Sequence, residues 1–132
     1  VIVTILPGAL PAGFPPEIVT FSGDEKFVYV PENQVTITTI NANNPNASGT
    51  LYWYLTDQYP DYAKFQIDSA TGVLSWISPP DYETPLAISG LVDYVIWRGG
   101  NEYWVMVRCT HLPSGLYDEI SLCVVVTDVP GA

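Results

Sequence analysis

The sequence predicts an all-β protein: a seven-stranded Greek-key β-sandwich with an N-terminal strand extension and an extra β-hairpin. Three observations carry that expectation. Twelve prolines and ten glycines punctuate the 132 residues, separating short runs rich in β-branched and aromatic side chains. Within those runs apolar and polar residues alternate with the period of two that a half-buried strand requires. No window sustains the 3.6-residue period of an amphipathic helix. With 48% hydrophobic residues, the chain is one domain with enough apolar surface for a real core.

Taken in order, Val1, Ile2, Val3, Thr4, Ile5 and Leu6 form a strand-like hexamer. The stretch PGALPAGFPP after it is an extended, fairly stiff linker. Residues 1–16 therefore stand apart from a sandwich over residues 17–132. The first nine residues, VIVTILPGA, match the last nine, VVVTDVPGA, at six positions. An apolar hexamer left in water invites aggregation, so it needs a partner. Three placements are open: the tail of a preceding repeat in a tandem array, a strand donated to a neighbouring subunit, or a strand folded back on its own sheet edge.

Ile18 to Phe21 and Phe27 to Val30 read as a first strand split by the turn Ser22-Gly23-Asp24-Glu25. Val35 to Ile40 is the second strand. Leu51 to Leu55 is the third, with Leu51, Trp53 and Leu55 inward and Tyr52 and Tyr54 outward. Phe65 and Ile67 mark the fourth strand, Leu74 and Trp76 the fifth. Asp68-Ser69-Ala70-Thr71-Gly72 joins them, with Gly72 supplying the positive φ of the reversal. Pro79-Pro80 stops the run, because proline donates no ladder hydrogen bond. Asp93 to Trp97 reads as an extra strand and Arg98-Gly99-Gly100-Asn101 as a tight turn into the strand at Glu102. That hairpin would carry Tyr94, Trp97 and Trp104. Cys109 ends the sixth strand facing inward, and Leu122, Val124 and Val126 of the last strand face the core.

Several short motifs fall in a fixed order along this pattern: Pro31-Glu32-Asn33, Leu51-Tyr52-Trp53-Tyr54-Leu55, the stretch FQIDSATGVL, Asp81-Tyr82-Glu83, the stretch YWVMVRC from Tyr103, and VVVTDV from Val124. Together, over roughly residues 17–129, they resemble the cadherin-type extracellular repeat. The wording SATG and PPDYE is closer to bacterial cadherin-like repeats than to animal adhesion cadherins. The resemblance implies a cadherin/immunoglobulin-like sandwich, an extracellular, cell-surface location, and calcium at the junctions between successive domains. It implies Glu32, Asp81, Glu83 and Asp128 as ligands, with Asn41 and Asn43 where the family carries Asp-x-Asp. The chain departs from the pattern at those two asparagines, at His111 in place of an aspartate, and at Val129-Pro130-Gly131 in place of an acidic linker. Each Asp-to-Asn change removes charge that calcium uses.

Fourteen acids against four bases give a net charge of −10. Such a surface repels nucleic acid and suits a hard cation, although solvation alone accounts for most of these charges. No run approaches the ~20 apolar residues of a membrane helix, so no membrane insertion is expected. Cys109 and Cys123 are the only cysteines, and an even pair in an exported protein suggests a disulfide. Alternation points Cys109 inward and Cys123 outward, so a bond between them requires a bulge. Tyr52, Tyr54, Tyr59, Tyr62, Trp97 and Trp104 are dense enough to suggest a contact surface. Nothing supports catalysis: His111 is the only histidine and has no marked nucleophile.

The expected function is structural. The chain reads as an extracellular subunit that joins head to tail, with copies of itself or neighbouring repeats of the same polypeptide, into a filament or array. Strand addition by residues 1–6 and calcium would make the joints. The alternative is one repeat of a large bacterial adhesin that binds a glycan or protein through exposed aromatics.

Overall fold

The structure is a computed structural model and describes residues 13–21, 25–87, 91–92, 95–96 and 101–131. In chain order its strands are β1 (Glu17–Ile18), β2 (Glu25–Pro31), β3 (Thr36–Thr39), β4 (Ala42–Asn43) and β5 (Thr50–Thr56). A short 3-10 helix (Pro60–Lys64) precedes β6 (Phe65–Ile67), β7 (Val73–Trp76), β8 (Leu91–Val92), β9 (Val95–Ile96), β10 (Glu102–Leu112) and β11 (Tyr117–Thr127).

Seven of these strands make the two sheets of the sandwich. One sheet runs β2-β11-β10-β5, the other β3-β7-β6. The predicted split of the first strand is real, and its halves go to different partners. β1 pairs antiparallel with β4, whereas β2 runs parallel to β11. The Asp118 carboxylate ties β1 to β11 by accepting a hydrogen bond from the Ile18 amide at 2.9 Å.

Alternation decides the core. On β10, Tyr103, Val105, Val107 and Cys109 are buried, while Trp104, Met106 and Arg108 on the opposite face are half-buried. Leu122, Val124 and Val126 of β11 are buried as expected. The facing sheet supplies Ile37, Phe65, Leu74 and Trp76. Trp76 stacks on Phe65 at 4.5 Å between ring centroids and meets Tyr103 edge-on at 4.9 Å. Such pairs add ~0.5–1.5 kcal/mol beyond the area they bury. The β6–β7 reversal turns at Gly72, whose φ is +76°. Asp68 stabilises it by accepting the amides of Ala70 and Thr71, both at 2.9 Å.

Two expectations are corrected. The extra hairpin exists but is shifted: Leu91 pairs with Ile96 and Val92 with Val95. Among the described residues the strand at Glu102 pairs with β11, and β5 joins β10 only from Met106 onward; residues 93–94 and 97–100 of the expected hairpin lie outside the described residues. No disulfide joins Cys109 and Cys123, which are both buried. Cys109 lies opposite Asp118 and Cys123 opposite Trp104. The offset of five residues, from 118 to 123, is about 17 Å along the ladder. A disulfide tolerates about 7 Å between Cα atoms.

Burial, then the nearby Asp118 charge, pushes the Cys109 thiol up to about 11. Only the thiolate attacks alkylating agents. Cys109 is therefore expected to resist iodoacetamide at about pH 8 in the native protein and to react once denatured. Rapid native labelling, read by mass spectrometry, would contradict this packing.

Candidate metal centre

One end of the sandwich gathers four acids from three segments. Beyond β2 the chain turns at Glu32-Asn33. The Glu32 amide donates to the Thr127 carbonyl at 3.0 Å, placing Glu32 beside the end of β11. Asn33 takes φ 69°, a left-handed conformation that asparagine tolerates better than most residues. Its amide then reaches the Pro80 carbonyl at 2.9 Å. The Pro-Glu-Asn motif is thereby docked against the loop that follows Pro79-Pro80.

That loop is a self-capped acidic turn. Asp81 Oδ1 accepts the Glu83 amide at 3.1 Å, and Asp81 Oδ2 accepts the Thr84 hydroxyl at 3.3 Å. Glu32 is only 4% exposed. Its Oε2 accepts the Val129 amide at 2.9 Å and its Oε1 the Tyr82 amide at 3.4 Å. Carboxylate oxygens of Glu32, Asp81 and Glu83 lie within 4.8 Å of one another. Asp128 brings a fourth carboxylate beside Glu32 and Glu83, directly before the Val129 amide that Glu32 accepts.

The crowding shows in the acidities. Glu32 is held below the ordinary carboxylate range, chiefly by the Val129 amide. Glu83 is pushed up, first by burial and then by the charges of Glu32, Asp128 and Asp81. Asp128 is pushed up too, first by its hydrogen bond to Glu32.

These residues fit a hard divalent cation. Calcium keeps its oxygens at about 2.3–2.6 Å, so oxygens up to about 5 Å apart can share one ion. Carboxylate oxygen is also the donor it prefers, and like charges this close favour a cation that neutralises them.

Asn41 and Asn43, expected in the same ligand set, lie at the other end of the molecule. Asn43 pairs with Glu17, and β1 is bound to Asp118 opposite Cys109, near the far end of β10. The eleven residues of β10 separate the two ends by about 35 Å. A single ion cannot use both sets. His111 also sits at that far end. It is buried, with Nε2 donating to the Ser48 carbonyl at 2.9 Å and Nδ1 within 2.6 Å of the Ser114 hydroxyl. Where a carboxylate was expected, a histidine instead knits the 48–50 segment to the β10–β11 turn.

Among the aromatics, Tyr52 and Tyr62 are exposed as expected. Trp104 is not a free surface residue. It is half-buried, 5.7 Å from the Tyr59 ring and 6.2 Å from that of Phe27. Tyr94, Trp97 and residues 1–6 lie outside the described residues. Sequence reasoning missed Asn101, a buried amide that donates from Nδ2 to the Tyr82 carbonyl at 3.1 Å. No motif marks it.

No family model and no curated protein matches the sequence. Solved structures do. The chain superposes on EC1-4 of Drosophila N-cadherin with a TM-score of 0.64 at 22% identity, over 89% of this chain and 25% of that one. Against EC1-3 of the same protein the TM-score is 0.63 at 20% identity, over 89% of this chain and 35% of the other. Protocadherin Gamma B7 extracellular cadherin domains 1-4 give 0.63 at 18% identity, over 87% and 24%. The chain thus spans about a quarter to a third of the cadherins it matches. At these identities the likeness establishes the fold: the chain is a cadherin-like β-sandwich domain.

Proposed function

We propose that this chain is an extracellular, cell-surface structural module that joins end to end with copies of itself or with neighbouring repeats, and that its acidic end binds calcium at the joint. The observation that carries this reading is the convergence of Glu32, Asp81 and Glu83 within 4.8 Å at one end of an elongated sandwich. Asp128 stands beside them where the chain leaves β11. An ion there would be shared between this domain and whatever follows. A domain with a cation site at one end and a different surface at the other makes a heterologous contact, which propagates rather than closes. Residues 1–6 add a second grip, as an apolar strand for a neighbour's sheet edge.

Light scattering of the purified chain in calcium and in excess chelator tests the reading, together with a variant lacking residues 1–6. Assemblies that dissociate in chelator support calcium at the joint, and assemblies lost with residues 1–6 support strand addition. A monomer of about 14.5 kDa under every condition would overturn end-to-end joining.

Cation and proton compete for the same oxygens. Because Glu83 and Asp128 are raised, they take up protons at a higher pH than ordinary carboxylates do. Affinity should therefore be full near neutrality and fall as pH drops toward the carboxylate range, starting earlier than Glu32 alone would dictate. Calcium titrations between about pH 7.5 and 5 check this, and a flat affinity across that span would contradict it.

A second reading rests on the outer face of the β2-β11-β10-β5 sheet. Tyr52 and Tyr117 are exposed there, and the Arg108 guanidinium lies 4.0 Å from the centre of the Tyr117 ring. Aromatic faces of this kind suit stacking on a sugar or on a protein partner. Loss of glycan-array binding on Tyr117→Ala, with assembly unchanged, would favour it.

A further inference from the structure

Asn101 stands out as a polar side chain with half of its amide unused. It precedes β10 directly and is 3% exposed. Its carbonyl accepts the Val126 amide at 2.9 Å, which fixes the backbone against β11. From there Nδ2 donates to the Tyr82 carbonyl at 3.1 Å. Glu32 holds the same residue from the other side, through the Tyr82 amide at 3.4 Å. Tyr82 lies between Asp81 and Glu83, so both peptide groups of the acidic turn are pinned, one by a proposed ligand and one by Asn101. The Asn101 Oδ1 is buried and meets no hydrogen-bond donor. Rotating the amide would exchange an idle oxygen for a repulsive contact with the Tyr82 carbonyl, so the orientation is set.

We propose that Asn101 is a positioning residue of the cation site: its Nδ2 fixes the Asp81-Tyr82-Glu83 turn in the ligating arrangement, and its idle Oδ1 accepts a hydrogen bond from a water of the bound ion. This inference rests on the proposed calcium reading. A buried acceptor without a donor is a standing cost to the folded protein, and it persists where something supplies the donor on binding. A cation's hydration shell supplies strong donors, because the ion polarises its own waters. Groups that orient ligands from behind commonly govern metal affinity by about ten- to a hundredfold.

Isothermal titration of calcium into the full chain and into Asn101→Leu tests this. The expected result is a loss of affinity of about tenfold or more, with the melting temperature in chelator little changed, since losing the Nδ2 bond to the Tyr82 carbonyl is offset by removing the unpaired oxygen. A merely structural asparagine gives the opposite pattern, a lowered melting temperature in chelator with unchanged calcium affinity, and that result overturns the proposal. A wild type that binds no calcium fails the functional reading itself, whereas equal binding by both proteins fails only the role of Asn101. Should Asn101→Leu not fold, the wild type answers alone. Its Asn101 side-chain NH2 resonances should shift in step with calcium occupancy, and their invariance across a saturating titration would overturn the proposal.

Discussion

Replacing Gly72 with valine is expected to destabilise the protein by about 3–5 kcal/mol, enough to leave a marginally stable domain substantially unfolded. Two costs combine. The residue's φ of +76° is strained for any β-branched side chain. A Cβ at this position would also stand 2.4 Å from the Ile40 carbonyl oxygen and 3.0 Å from the Trp53 ring. Neither obstacle can retreat cheaply. Ile40 O is backbone, and the Gly72 carbonyl accepts the Ile40 amide at 2.9 Å, so the two segments are tied at that spot. Gly115 provides the control. It too has a positive φ, +78°, but a Cβ there meets nothing within 4 Å. Gly115→Ala should cost only the backbone strain, about 1–2 kcal/mol. Urea denaturation of both variants separates the terms, and equal losses would show that close approach is not what selects glycine at position 72.

Glu32→Gln is expected to abolish measurable calcium binding, or to weaken it at least about a hundredfold, while leaving the fold intact. The carboxylate is central in a way that its neighbours are not. It accepts amides from Tyr82 and Val129 and lies beside Asp81, Glu83 and Asp128, so it links the Asp81 turn to the chain leaving β11. Glutamine keeps the shape and one accepting oxygen but removes the charge that a divalent ion needs. Asp81→Asn should be milder, since Asp81 also spends its oxygens on the amide of Glu83 and the hydroxyl of Thr84. Terbium luminescence and calorimetry give the ranking. An Asp81→Asn defect larger than that of Glu32→Gln would contradict the central place assigned to Glu32.

Much of the fold was legible because its information is local. The hairpin around Gly72 follows from turn residues set between two alternating runs. The inward set on β10 follows from alternation alone, whereas on β11 Cys123, expected outward, and Val125 are buried along with Leu122, Val124 and Val126. The break in the first strand was legible after Phe21, although β2 already begins at Glu25, a residue expected in the turn. What sequence pattern could not reveal were matters of partner and distance. Asp93 to Trp97 has good strand composition, but propensity carries no information on which neighbour has a free edge. The pairing described there joins Leu91 to Ile96 and Val92 to Val95. The cysteine problem was stated correctly as one of facing, and the ladder register adds the separation that forbids the bond.

The candidate site divides in the same way. Glu32, Asp81 and Glu83 lie in motifs whose order along the chain matches their convergence in space. Asn41 and Asn43 entered the list by the same resemblance, yet a motif does not say at which end of a strand its residues emerge. Asn101 was invisible for the converse reason. It has no charge and no motif, and its importance lies in a hydrogen bond to a backbone carbonyl nineteen residues away in sequence.

The most direct test of the account is the melting temperature of the full chain with and without calcium. Extracellular calcium modules bind with Kd on the order of 10⁻⁴–10⁻³ M. At about 10 mM calcium, linkage then predicts a rise on the order of 10 °C over the value in chelator. Magnesium at the same concentration should give far less, because it demands tighter, near-octahedral geometry. No shift in calcium, or an equal shift in both ions and in Glu32→Gln, would contradict a calcium site at the acidic end of this domain.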